Sequence, residues 1–380
     1  MSELSVAALV DAAGVAEDDD LPFSGNLARL VDSCLATAAL NPPGTLVLAK
    51  TVVRRLRNLA AIRAYVAAQP EAAVRPLGAP LVVTGLPRTG TTLLHNLLAL
   101  DPAHRVVRFW EALRPVPAGD GSPSVEERRG RAERWLDGFY RLVPEFRAIH
   151  GTTPDGPEEC DALLQNTFAS QHFDDMFDAR DYAAWLAAAP LAEEYDHYAL
   201  QLRVLSAASP VRTAWALKSP SHLGHLDSLR RALPGCTILV CHRDPREAVA
   251  SYASLIHTLR RAYSDGAPAA VAGRQALGRS ATAMGRAMAA RATIGEEAFV
   301  DVSYPQLVGD PVATLAAVYR RLGRRFDAGL AEAIGQRLAA HPQHEHGAHR
   351  YDLARFGLTA AAVDDAFAGY LDRFGALCAG

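Results

Sequence analysis

The sequence predicts an α/β fold: a parallel sheet of the P-loop (phosphate-loop) type flanked by helices, with a helical N-terminal arm and a helical insertion. Three observations predict it. The stretch Leu81-Val-Val-Thr-Gly85-Leu-Pro-Arg88-Thr-Gly90-Thr-Thr92-Leu-Leu-His95 passes from a β-branched run through a glycine-bounded turn into an apolar pattern at helical spacing. Two later apolar runs, 213–217 and 237–242, end at the cations Lys218 and Arg243 and are each followed by a helical pattern, the alternation that builds a parallel sheet. Before the first of these two runs, residues 117–210 change to long arginine- and alanine-rich helical segments.

Each element follows in order. Residues 1–78 show helical periodicity at 27–40 and 45–67 and are expected to pack as an arm on the sheet. Residues 70–80, bounded by prolines, lead into the first strand, and the helix after the loop runs to about Leu100, where Asp101-Pro102 stops it. Val106-Val-Arg108-Phe-Trp110-Glu111 reads as a short strand entering a loop. The segment 124–142 holds Arg128, Arg129, Arg131 and Arg134, expected on a solvated helix face. Asp155, Glu158, Glu159 and Asp161 crowd a stretch expected to begin a helix, where carboxylates favour the first turn. Phe168, Phe173, Phe177, Tyr182 and Trp185 are expected chiefly in the core, with the lining of an apolar pocket as the alternative. Helices are expected at 222–233, 310–322 and 359–377, and a fourth strand at Phe299–Ser303. The expected organisation is one domain with segments 1–78, 79–116, 117–210, 211–325 and 326–380.

Composition narrows the class. With 380 residues, 49% of them hydrophobic, and a net charge of −3, the chain can bury a large core but carries no basic excess for nucleic acid. No apolar run reaches membrane-spanning length, so no stable membrane insertion is expected. The N-terminus lacks the basic flank of a signal peptide, and five cysteines, Cys34, Cys160, Cys236, Cys241 and Cys378, lack metal-ligand spacing. These point to a cytoplasmic protein with reduced thiols. His341, His344, His346 and His349 are irregularly spaced without a cysteine among them, which argues against a metal site.

The loop is where chemistry concentrates. Backbone N–H groups at the start of its helix form an anion site, helped by the helix dipole. The nucleotide-triphosphate pattern demands lysine after the second glycine, yet Thr91 stands there and the cation is Arg88 inside the loop. That lysine serves β- and γ-phosphates beside magnesium, so its loss argues against ATP or GTP hydrolysis. Of 39 basic residues only Lys50 and Lys218 are lysines, and a lysine kept inside a motif suggests that a compact ammonium is wanted there. Glu111, just past an expected strand end, is placed by position alone equally well for reaction or for pairing with Arg108 or Arg114.

The stretch Pro87-Arg-Thr-Gly-Thr-Thr92 resembles the 5′-phosphosulfate loop of sulfotransferases that use 3′-phosphoadenosine 5′-phosphosulfate (PAPS). Trp215-Ala-Leu-Lys218-Ser-Pro220, Val240-Cys-His-Arg243-Asp-Pro-Arg-Glu-Ala-Val-Ala-Ser251, Val302-Ser-Tyr304-Pro and His349-Arg-Tyr351 are similar to further segments of the bacterial branch of that family, which is related to the tyrosylprotein enzymes. The five segments occur in the expected order across residues 80–360. The resemblance implies Arg88, Thr89, Gly90, Thr91 and Thr92 around the 5′-phosphosulfate, with Arg243 and Ser251 on the 3′-phosphate and Arg350 as a further phosphate contact. It implies Lys218 and Arg88 as stabilisers of the leaving phosphate and Glu111 as general base. The insertion, residues 117–210 with its aromatic side chains, is read as the cap of the acceptor site. Pro220 occupies the place of the histidine base of cytosolic members, leaving His222 as the second candidate. The implied reaction moves a sulfuryl group to a hydroxyl, less readily an amine, of a small-molecule, lipid or sugar acceptor, without metal. The alternatives are a kinase or hydrolase with a degenerate loop, and a nucleotide-binding module without catalysis.

Overall fold

The computed structural model describes residues 4–15, 21–117, 123–149, 151–208, 214–340 and 352–379. The chain divides into two compact units, one drawn from Met1–Leu77, Val107–Pro210 and Leu255–Pro268, the other from Gly78–Val106, Val211–Ser254 and Ala269–Gly380.

The second unit holds a five-stranded parallel sheet of β1 (Leu81–Gly85), β2 (His104–Arg105), β3 (Ala214–Lys218), β4 (Thr237–His242) and β5 (Phe299–Ser303) in the order β2-β3-β1-β4-β5. β1 lies between β3 and β4, with Val83 opposite Lys218 and Gly85 opposite Cys241. Every residue of β1 and β3 is buried. Such strands are covered on both faces, which is why they read as continuous apolar runs rather than alternating ones. The core includes Leu81 and Val83 of β1, Leu94 and Leu98 of the loop's helix, and Leu307, Leu315 and Ile334. The expected α/β fold with its parallel sheet is present.

Several boundaries differ from those expected. The short strand expected from Val106 onward is instead the two residues His104–Arg105. Beyond it the chain leaves the sheet: the Val107 carbonyl accepts from Glu158 N at 2.8 Å, and Arg108 bridges Pro157. The expected helix 222–233 is a tight 3₁₀ turn, Pro220–His225, then an α-helix, Leu226–Ala232, because Ser219 Oγ accepts from Ser221 N at 3.1 Å and winds the start. The C-terminal helix breaks at Phe367 into Ala360–Ala366 and Ala368–Cys378. Two long helices, Pro245–Tyr263 and Ala269–Ile294, follow β4. His341, His344, His346, His349, Arg350 and Tyr351 lie outside the described residues.

The first unit is helical. Its longest element, Pro42–Ala68, begins where Asn41 Oδ1 accepts from Gly44 N at 2.8 Å, and Pro42 suits the first helical turn. Gly44 is required there by packing: a Cβ would lie 2.0 Å from the Tyr263 carbonyl oxygen. Phe168, Phe173, Phe177 and Tyr182 are buried as core, and Trp185 is half-buried. Two sequence expectations are corrected here. Arg128, expected in solvent, is 6% exposed, its guanidinium 4.7 Å over the Trp110 ring. Of the four carboxylates at 155–161, Asp161 alone sits in the first turn of the helix Asp161–Leu164. Asp155 instead pairs with Arg129 at 2.8 Å and accepts from Trp110 Nε1 at 3.2 Å, since the chain around it pairs with the segment leading to Trp110.

Candidate functional site

The loop between β1 and its helix, Thr91–Leu98, is shaped by backbone conformations that side chains rarely share. Gly85 has φ 144°, and a Cβ there would meet the Cys241 carbonyl oxygen at 2.6 Å. Gly90, at φ 88°, precedes the helix, and a Cβ would stand 2.7 Å from the Tyr304 ring. Between them Arg88 itself takes φ 71°. A non-glycine residue in the left-handed region costs about 1–3 kcal/mol and persists only where its surroundings fix it. Thr89 Oγ1 fixes the turn by donating to the Leu86 carbonyl at 2.7 Å. No side chain caps the helix at Gly90, so its first N–H groups, which a helix cannot itself satisfy, present a ready anion site.

Three cofactor candidates named from sequence meet at one side of the loop. Arg88 Nε donates to Ser251 Oγ at 3.1 Å, and Arg243 Nη1 donates to the Arg88 carbonyl at 2.8 Å. β4 delivers Arg243 at its end, and the helix Pro245–Tyr263 brings Ser251 round two turns later. Two residues without an assigned role from sequence complete the group. Glu247 Oε2 accepts from Arg243 Nε at 2.9 Å and Nη2 at 2.6 Å, and the Arg243 guanidinium lies 4.2 Å over the Tyr304 ring. The first was legible as an i,i+4 pair on a helix. Tyr304 was legible only as a residue just past a strand.

On the helix side of the loop, Lys218 Nζ donates to Thr92 Oγ1 at 3.3 Å. Lys218 is 1% exposed, and an ammonium that deep is tolerated only when hydrogen-bonded. Thr84 Oγ1 donates to the Ser219 carbonyl at 2.9 Å and Ser219 N to the Val83 carbonyl at 3.1 Å, locking the ends of β1 and β3 together beside it. Thr91 is buried. His222 is fully buried in the 3₁₀ turn, with its N–H on the Ser219 carbonyl at 3.3 Å.

Glu111 belongs to the helical unit. It is not at a strand end but is the third residue of the short helix Phe109–Leu113, 5% exposed, with Oε2 accepting from Arg108 N at 2.9 Å. The carboxylate is not exposed: it folds back to cap its own helix. Arg128 lies in its electrostatic reach: burial and Arg114 push that guanidinium down to about 10, and Glu111 opposes them. Among the described residues no three His, Cys, Asp or Glu side chains converge as metal ligands. None of the described helices is long and apolar enough to cross a membrane.

Comparison with known proteins bears on the family and the fold. The chain resembles the sulfotransferase STF9 from Mycobacterium avium, with 26% identity, a TM-score of 0.84, and coverage of 98% of this chain and 97% of that one. It is similar also to the sulfotransferase STF1 from Mycobacterium tuberculosis H37Rv, with 28% identity, a TM-score of 0.80, and coverage of 96% and 98%. No curated protein sequence matches it. A model of the sulfotransferase family matches residues 80–328, which take in the loop, Lys218, Arg243, Ser251 and Tyr304, and the chain therefore belongs to the sulfotransferase family.

Proposed function

We propose that this sulfotransferase transfers the sulfuryl group of PAPS to a hydroxyl of a small-molecule, lipid or sugar acceptor in the cytoplasm, without a metal. The observation that carries the reading is the junction of Arg88, Arg243 and Ser251 beside a helix start left uncapped by any side chain. The guanidinium of Arg243 with the Ser251 hydroxyl suits a terminal phosphate, and the helix N–H groups with Arg88 suit a second anion. The five cysteines are all buried as free thiols, in keeping with a reducing compartment.

PAPS supplies an activated sulfuryl group on a phosphate leaving group. Arg243 and Ser251 would hold its 3′-phosphate, while the amides and hydroxyls of residues 89–92 would hold the 5′ end. Lys218 would stand at the oxygen bridging sulfur and phosphorus. As the acceptor oxygen bonds to sulfur and the bridging bond breaks, Arg88, Lys218 and the loop amides would receive the charge developing on the phosphate. The acceptor proton passes to a base, for which we assign Glu111 by family resemblance.

The test is ligand selectivity and turnover together. Adenosine 3′,5′-bisphosphate should raise thermal stability in chelator, since a ligand that prefers the native state stabilises it. Sulfur-labelled PAPS, offered with a panel of alcohols, phenols, sugars and amines, should yield labelled ester and bisphosphate in equal amounts. Stabilisation by magnesium-ATP and none by the bisphosphate would overturn the proposal.

A further inference from the structure

The helix Phe109–Leu113 has five residues, and isolated helices below about 12–15 residues are marginal in water. It is held from outside at both ends. At its start Phe109 N donates to the Gly156 carbonyl and Trp110 N to the Pro154 carbonyl, both at 3.1 Å. At its end the carbonyls of Ala112, Leu113 and Arg114 belong to the set that a helix leaves unsatisfied. Each receives a side-chain donor from a distant part of the chain. Arg55 Nη1 donates to Ala112 O at 3.4 Å, Asn58 Nδ2 to Leu113 O at 3.1 Å, and Arg128 Nη2 to Arg114 O.

These donors are themselves fixed. Arg55 and Asn58 lie one turn apart on the helix Pro42–Ala68 and are 3% and 4% exposed. Asn166 Oδ1 accepts from Asn58 at 3.0 Å and from Arg55 at 3.4 Å, and its amide donates to Gln201 Oε1 at 2.7 Å. Arg55 Nη2 reaches Gln165 Oε1 as well. Two buried guanidiniums spent on one short helix exceed what ending a helix requires, since a glycine or solvent can do that. The arrangement suits a helix whose side chain must stay in one place.

We propose that Arg55, Asn58 and Arg128 are positioning residues, which hold the last three carbonyls of this helix and so fix the Glu111 carboxylate for proton abstraction. The proposal rests on the reading of Glu111 as base. The three donors hydrogen-bond to the backbone of the segment that carries Glu111, and Arg128 also lies in the electrostatic reach of its carboxylate.

The test is a cycle of variants. Arg128→Met keeps an apolar stem over Trp110 and removes the donor, and Arg128→Lys keeps a cation. Single-turnover sulfuryl transfer is measured at saturating PAPS with the hydroxyl compound found in the acceptor panel, for each variant alone and combined with Glu111→Gln. Bisphosphate affinity is measured alongside. A displacement of ~1 Å at a reacting group costs about a hundredfold. Loss of one donor of three is therefore expected to slow transfer about tenfold, with bisphosphate affinity unchanged, partial recovery in Arg128→Lys and no further loss in the Glu111→Gln background. Asn58→Ala repeats the test should Arg128→Met fail to fold. An Arg128→Met loss of equal size with and without Glu111→Gln, or normal rates in Arg128→Met and Asn58→Ala beside a slow Glu111→Gln, overturns the positioning role alone. A full rate in Glu111→Gln overturns the base reading, and this proposal with it.

Discussion

Arg243 donates from Nη1 to the backbone carbonyl of Arg88, 155 positions earlier in the chain, at 2.8 Å. The carbonyl it holds belongs to the loop residue with φ 71°, so a cation expected on a phosphate also secures the backbone that shapes the anion site. Arg88 in turn donates to Ser251, and the three residues work as one unit.

Removal of Arg243 should therefore act on cofactor binding before chemistry. Hydrogen bonds to charged groups contribute about 1.5–3 kcal/mol, so Arg243→Ala is expected to weaken adenosine 3′,5′-bisphosphate by roughly 10–100-fold. Ser251→Ala should cost less, about tenfold or under, because it removes one neutral donor. Isothermal titration of the bisphosphate measures both. Unchanged affinity in Arg243→Ala, with turnover abolished, would remove this arginine from the 3′-phosphate.

Lys218 should behave in the opposite way. Its ammonium, buried at the end of β3 and bonded to Thr92, would gain strength as the bridging oxygen becomes charged. Lys218→Ala is expected to depress kcat far more than it weakens the bisphosphate. Arginine should substitute poorly, since a planar fork is larger than the space filled by a 1%-exposed ammonium. Steady-state kinetics with PAPS as the varied substrate tests this. Near-normal turnover in Lys218→Arg would leave only a general electrostatic role.

How far these sites were legible depends on the range of the contacts that build them. Lys218 and Arg243 could be read because each directly ends a buried apolar run, and strand ends in a parallel sheet face the ligand crevice. The setting of Glu111 could not, because β2 is only two residues long and the chain then pairs with residues 154–158, a tertiary choice without a local signal. Arg128 was misplaced for a related reason. It shares a helix with Arg129, Arg131 and Arg134, all exposed, and only the Arg114 carbonyl and Trp110 ring from another element draw it inward. Arg350 lies outside the described residues.

The identity of the base can be decided by two substitutions that keep shape. An alcohol must lose its proton as its oxygen bonds to sulfur, and a positioned base contributes roughly 10²–10⁴-fold. Glu111 and His222 are the two candidates, and both are buried, which separates neither. Their backbones differ in what substitution disturbs. Glutamine at 111 can still accept from Arg108 N through its amide oxygen, so Glu111→Gln preserves the cap seen at 2.9 Å while removing basicity. Asparagine at 222 leaves the backbone bond to Ser219 intact. We expect Glu111→Gln to bind the bisphosphate normally and to transfer sulfuryl groups at least about a hundredfold more slowly, and His222→Asn to lose much less. Single-turnover transfer at saturating PAPS measures both. The reverse order of damage would make His222 the base and leave Glu111 as the carboxylate that caps its own helix.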